Sequence, residues 1–383
     1  MKSLKTISFL LVFLLIIGCQ PKDKFDWNAG WSAPKYYGAA PFVEYFYKGK
    51  SIAGISANIG ADPGWGETSG GYVGGGKFKE VPDSIFVKWV DSPDRYEYEG
   101  GIKLPREKMI KLFKEKVFDS VTHEKNDYSL IVTGMAPGGN VTVWMRAGIK
   151  NKEIIKFKVK NNGIWQEENK EYQKYIEKRN SSEEFINSDA NIFRNIHGIP
   201  YKVWEEGEQE YNYDIGFESK KDIAQKLTIA ITGLSKDGSY VYGDARSLYD
   251  YKENKTYNSK KLPVELIVRW ISRDQQQWYE GRIVMPQNLN EIFNKLENKE
   301  KLTYLVLKIE DVKASSNYAY GTVFFKNSKN KQKIVKFRLA KLNVTTREFY
   351  VSKYSLPKGF VFPKWEGRVP IFLPKNFEYY QEQ

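Results

Sequence analysis

The chain of 383 residues has one cysteine and two histidines. A single thiol excludes an internal disulfide, so the fold must rest on its own hydrophobic cores. His123 and His197 stand 74 positions apart. That scarcity leaves a zinc centre or a Ser-His-Asp triad hard to assemble, and both histidines read as turn residues. HExxH, GxSxG and CxxC are missing too. Apolar runs are short, and the longest, Ile7 to Ile17, is too short to cross a bilayer. Gly71 to Lys77 satisfies GxxxxGK, but Phe78 stands where a nucleotide loop needs Ser or Thr, and a proline and a strand follow instead of a helix. The expectation is a protein with no catalytic residues, no metal and no cofactor.

What the chain has in quantity is aromatic rings: 26 Tyr, 22 Phe and 10 Trp, residues that favour strands. Its formal net charge is +13, and losing Lys2 and Lys5 with a signal peptide would leave +11. The lysines are scattered, as on solvated faces. The other reading is attraction to an acidic protein partner or an anionic envelope component. No nucleic-acid motif is present, so nucleic acid is not expected as a partner.

The chain also repeats itself. The 24 residues from Pro82 and the 24 from Pro263 align without a gap at an offset of 181, with eight identities. These are Pro82/Pro263, Val87/Val268, Trp89/Trp270, Tyr98/Tyr279, Glu99/Glu280, Gly100/Gly281, Ile102/Ile283 and Pro105/Pro286. Beyond the second proline the offset becomes 180, so Ile154 to Val159 falls on Ile334 to Leu339. A period this long reads as a duplicated domain rather than a solenoid. Alternation of Ile85, Val87 and Trp89 with Phe86 and Lys88 predicts a half-buried strand, and Leu266, Val268 and Trp270 predict its counterpart. A proline then opens a short helix in each copy, with Met109, Leu112 and Phe113 in the first and Leu289, Ile292, Phe293 and Leu296 in the second. The fold class expected is α+β and β-rich: two tandem domains, each mainly antiparallel sheet with one short helix.

Lys2 and Lys5 followed by the apolar run have the form of an export signal. The run ends in Ile16-Ile17-Gly18-Cys19, which resembles the lipobox of bacterial lipoproteins. That resemblance implies cleavage after residue 18 and lipidation of Cys19, which would consume the lone thiol. Three acyl chains exceed the two-signal threshold for stable attachment. Gln20, rather than aspartate, resembles an outer-membrane address. The expected organisation is a signal peptide over 1–18, a lipidated tether over 19–26, a first repeat domain over 27–164, a charged linker helix over 165–190 and a second repeat domain over 191–383.

Candidate binding residues come from glycine-rich turns peculiar to the first copy. Gly64-Trp65-Gly66 suggests an aromatic at a turn tip, where an exposed Trp marks a contact surface. Pro137, Gly138, Gly139 and Asn140 form a second such loop. The repeat-equivalent candidates are Trp89 and Trp270, Tyr98 and Tyr279, and Glu99 and Glu280. The tryptophans lie on the apolar phase of their strands and read as core. The two glutamates share the context Tyr-Glu-Gly. Two facing carboxylates could perform glycosidic acid/base work, although a strand-end residue beside a turn glycine is the plainer reading.

The lipobox, the Gly-Trp-Gly turn, the Phe86-Val87-Lys88-Trp89 strand, the Tyr98 to Pro105 step and the Ala136 to Trp144 stretch together resemble the bacterial lipoprotein family called domain of unknown function 2931. The resemblance covers about Trp27 to Lys160, and the second copy only weakly. It implies a lipoprotein and transfers no catalytic residue. The functional expectation is a lipid-anchored, periplasm-facing binding protein of the outer membrane. An immunity protein against a periplasm-acting toxin and an envelope glycoside hydrolase are the alternatives.

Overall fold

The computed structural model describes residues 23–56, 60–68, 76–119, 123–165, 170–218, 229–242, 259–272, 277–296, 303–310, 315–342 and 352–382. The first half begins with β1 (Lys24–Asp26), β2 (Asn28–Ser32), β3 (Ala39–Tyr47), β4 (Lys50–Ser56), β5 (Phe78–Glu80), β6 (Ser84–Asp91) and β7 (Tyr96–Lys103). Helix α1 (Arg106–Phe113) follows, then β8 (Lys116–Phe118), β9 (Lys125–Asp127), β10 (Leu130–Ala136), β11 (Asn140–Ala147), β12 (Lys150–Lys158) and β13 (Lys160–Ile164). Two sheets carry this half, in the orders β12-β11-β10-β2 and β13-β7-β6-β3-β4. Pairing within them is antiparallel except for β2 beside β10. The period-2 pattern puts Ile85, Val87 and Trp89 into the core with Trp27, Tyr45, Met109 and Phe113.

Helices α2 (Lys170–Asn180), α3 (Glu183–Ile186), α4 (Asp189–His197) and α5 (Tyr201–Glu206) lie between the halves in sequence. Ser182 and Ser188 start α3 and α4, their hydroxyls accepting the N–H groups of Phe185 and Asn191. The second half contains β14 (Glu210–Tyr211), β15 (Asp214–Glu218), β16 (Ile229–Ser235), β17 (Tyr240–Tyr242), β18 (Lys260–Lys261), β19 (Pro263–Ile271) and β20 (Trp278–Val284). Helix α6 (Leu289–Asn294) precedes β21 (Tyr304–Ile309), β22 (Tyr318–Lys326), β23 (Lys331–Lys341), β24 (Tyr354–Leu356) and β25 (Tyr379–Gln381). One sheet runs β15-β21-β22-β23-β20-β19-β16-β17, with β24 beside β20 and β25 beside β24.

The β-rich, antiparallel expectation holds, with parallel pairs added, and several pairings of the first half recur in the second, although the first half forms two main sheets and the second half one. The parallel pair β2–β10 has its counterpart in β15–β21. Trp89 opposes Tyr98 across β6–β7, and Trp270 opposes Tyr279 across β19–β20. The ladder between β11 and β12 slips after Val143, and that between β22 and β23 slips after Val323, 180 positions on. Lys160 opposes Glu99, as Ala340 opposes Glu280. Trp27 Nε1 donates to Glu80 O at 3.2 Å, and the Tyr213 hydroxyl donates to Lys261 O at 2.6 Å.

Two expected boundaries move. Lys24 to Asp26 are not tether, because they pair with Phe78 to Glu80 and Phe25 stacks on Phe113 at 4.8 Å. The linker is not one charged helix ending at residue 190. Helix α4 runs through that point because Ile192, Phe193 and Ile196 make it a buried, amphipathic element. After β24 the chain crosses back to the first half, where Val369 N donates to Pro93 O at 2.9 Å and Arg368 Nε to Asp94 O at 2.8 Å.

Candidate functional site

The repeated residues build a hairpin in each half. The Trp89 and Tyr98 rings stack at 5.1 Å, and those of Trp270 and Tyr279 lie 5.7 Å apart. All four are buried. The glycine of each Tyr-Glu-Gly step exists for close packing. A Cβ on Gly100 would lie 2.9 Å from Val159, and one on Gly281 would lie 2.5 Å from Leu339. The glutamates face cations across the ladder: Glu99 is 3.8 Å from Lys88, and Glu280 is 2.6 Å from Arg269. Glu280 also lies 3.4 Å from Lys353. Each glutamate thus has its own cationic partners within its own half. The hairpins thus give all six residues ring or ion-pair partners.

The glycine-rich turns are not an exposed contact surface. Trp65 is 7% exposed, and its ring meets Trp144 edge-to-face at 5.0 Å. Gly64 and Gly66 have positive φ and turn the chain so that the indole points inward. The Trp65 and Lys35 N–H groups both donate to Gly238 O at 3.0 Å. Turn 236–238 of the second half therefore plugs into the Gly-Trp-Gly turn of the first. Pro137, Gly139 and Asn140 are buried as well. Tyr98 OH accepts the Gly138 N–H at 3.2 Å, and Asn140 Nδ2 donates to Pro137 O at 2.9 Å. A Cβ on Gly139 would lie 2.6 Å from Val159 O, so the double glycine permits this approach. The Gly-Trp-Gly turn thus meets the other half of its own chain, while the Pro137 to Asn140 loop packs on Tyr98 and Val159 of its own half and on Tyr201 of α5. Trp65, Trp144, Phe193, Trp204 and Leu234 share one apolar cluster along this seam.

A cleft of 1170 Å³ opens beside the seam. Trp65 and Trp144 come from the first half, Tyr240 and Tyr242 from the second, and Glu206, Glu208 and Glu210 from α5 and the segment after it. Lys150, Lys156, Lys260 and Lys261 bring the opposite charge. Tyr242 is 55% exposed at the rim, its ring 5.7 Å from that of Tyr240. Glu208 reaches the turn of the second half, accepting the Asp237 N–H at 3.2 Å, while Trp204 Nε1 donates to Asp237 O at 2.9 Å. On the far side of residues 207–209 lies a smaller cavity of 540 Å³, with His197 and Lys236 in its wall. His197 Nε2 sits 3.3 Å from Glu265. His123 has positive φ. Tyr240, Tyr242 and Glu208 were not among the residues expected to bind. The only available signal was the Tyr-Val-Tyr alternation of a short strand.

Buried charges tie α4 to both halves. Arg282 Nη1 donates to Glu265 at 2.5 Å, and Nη2 donates to Asp189 at 2.6 Å and to the Tyr36 hydroxyl at 2.7 Å. Burial alone would raise the Asp189 carboxyl, but Arg282 and Lys353 outweigh it and hold the group at about 2. Asp91 goes the other way. Burial, reinforced by Asp94, pushes it from 3.8 up to about 7. Burial and then Asp237 likewise push Glu208 up.

A carboxyl that holds its proton more tightly in the fold stabilises the fold while protonated, and loses that contribution as pH rises from its ordinary value through its raised one. Stability should therefore fall between about pH 4 and pH 7, by about 1.4 kcal/mol for each pH unit crossed. Asp189 acts below that window, where its contribution is lost as pH falls toward 2. Thermal melts should show a lower midpoint at pH 8 than at pH 5. Asp91→Asn should remove much of the difference, and an unchanged difference would sink the assignment.

Cys19 lies outside the described residues. Residues 18–202 match a family model described as "Protein of unknown function (DUF2931)". The match takes in Cys19, the whole first half and α2 to α4, and ends inside α5, so the resemblance read from the first half's turns is supported there. The second half lies outside it. No curated protein and no solved structure matches the chain.

Proposed function

We propose that the protein is a lipid-anchored envelope protein that binds a ligand, without transforming it, in the cleft between its two halves. The cleft carries the reading. Its 1170 Å³ exceeds the span usual for small-molecule sites, roughly 300–1,000 Å³, and suits an extended envelope component or a protruding segment of a protein. Aromatic faces and charges of both signs line it, which favours recognition of an amphipathic ligand. Glu99 and Glu280 are each held by their own cations, which weighs against a hydrolase built on that pair. The Ile-Ile-Gly-Cys box and Gln20 support an acylated Cys19 and an outer-membrane address facing the periplasm. The shared registers and the shared ladder slip support an origin of the halves by duplication.

The test uses a photo-reactive phenylalanine analogue in place of Tyr242 in living cells. Irradiation should give an adduct from the membrane fraction, and the same analogue at Val361, 74% exposed, should give none. Cys19→Ser should lose both the adduct and an incorporated azide-bearing fatty acid. Fatty-acid label retained by Cys19→Ser would sink the anchor. No adduct at position 242, or an equal one at 361, would sink the cleft.

A further inference from the structure

We propose that the face around Asp23, formed by β1, β5, the end of α1 and β8, rests on the bilayer, with Phe78 and Phe118 entering the lipid headgroup region. The proposal depends on the acylation of Cys19 proposed above.

Three residues separate Cys19 from Asp23, and the four steps between them reach at most about 14 Å. The folded end of that tether is fixed. Asp23 lies 3.9 Å from Lys114 at the end of α1, and Phe25 stacks on Phe113. A tether so short holds this face against the headgroups. Two large apolar side chains stand exposed there. Phe78 is 44% exposed and pairs with Asp26 in the β1–β5 ladder. Phe118 is 52% exposed and follows Lys114 by four residues. The pleat explains their direction: Lys79 beside Phe78 is buried over Trp27, and Val117 beside Phe118 packs on the core. Lys77 lies 5.9 Å over the Phe78 ring and the Phe118 ring lies 6.3 Å from that of His123, yet both phenyl rings stay exposed, and aromatic rings favour the membrane interface.

The charges around them identify the occupant as lipid entered by apolar insertion. Lys77 lies over Phe78, and Lys114 and Lys116 precede Phe118 on exposed stems, but Asp26, Asp23 and Asp127 pair with the three lysines at 3.8, 3.9 and 3.4 Å. Net charge here is therefore small. The lysine stems cover apolar surface while their ammonium groups stay with the headgroups. Attachment through this face should change little with salt.

Acylation consumes the only native thiol, so one cysteine introduced at 78 or 118 takes an environment-sensitive fluorophore selectively. The acylated full chain is reconstituted in vesicles of phosphatidylethanolamine and phosphatidylglycerol carrying a shallow nitroxide lipid. Labels on Phe78→Cys and Phe118→Cys should shift to the blue and be quenched, while a label on Val361→Cys should not. In the unacylated Cys19→Ser chain, Phe78→Ser with Phe118→Ser should reduce partitioning onto the same vesicles about tenfold, with an unchanged melting point. Failure of the wild type to float with vesicles would overturn the anchor and this face with it. Flotation with positions 78 and 118 unquenched, or with 361 equally quenched, would overturn the face and leave the anchor standing.

Discussion

Replacing Arg282 by methionine should cost about 3–5 kcal/mol of folding free energy, the scale of a buried ion pair that loses one partner. The guanidinium holds three elements at once: Glu265 in β19, Asp189 at the start of α4, and Tyr36 in the first half. Glu265 is fully buried. Burial by itself would raise its carboxyl, and Arg282 brings it below the ordinary range. Without that cation the carboxylate must stay charged in a low dielectric or take up a proton, and either costs free energy. Urea denaturation near neutral pH measures the loss. Arg282→Met combined with Glu265→Leu should cost less than Arg282→Met alone, since the stranded charge goes too. A loss below about 1 kcal/mol would mean that the cluster is solvated in solution and does not hold the halves.

Trp65→Ala should destabilise the protein by about 3–5 kcal/mol, as for other large buried aromatics. The indole fills the seam between the halves and meets Trp144 edge-to-face at 85°. The site is closely fitted, because a Cβ on Gly134 would lie 2.5 Å from Trp144 and 2.8 Å from Trp65. Neighbours this tightly held collapse poorly, so a cavity should persist. Since the ring joins two parts of the molecule, its loss should also broaden or split the unfolding transition. A melting point within a few degrees of wild type would show that the indole does little at the seam, and would return Trp65 to the role of a surface contact.

These two residues show how unevenly the molecule could be read from its sequence. The hairpin around Trp89 and Tyr98 was legible because strand burial is written into a period of two, and because the second half repeats the pattern at a constant offset. Helices α1 and α6 were legible through their apolar stripes, although only α1 starts directly after its proline, while α6 starts after Asn288 and ends before Leu296. Trp65 was legible only as unusual. Its flanking glycines announce positive φ, but they do not say whether the ring turns outward or inward. Arg282 gave no signal at all. It follows Gly281 in a strand with the look of an ordinary half-solvated position, and its partners lie 17, 93 and 246 positions away.

The sequence by itself determined the β-rich class, the paired hairpins and the likeness of residues 18–202 to a family of unknown function. Each of these depends on local order: a side-chain period, a turn glycine, a run of apolar residues. Tertiary structure alone decided that the Gly-Trp-Gly turn faces the second half rather than solvent, that α4 is pinned by buried charges, and that Tyr240, Tyr242 and Glu208 converge on one cleft. Those outcomes depend on how two sheets pack about a shared seam. Burial and charge pairing across the seam involve residues far apart in the chain, and no local pattern encodes the distance between them.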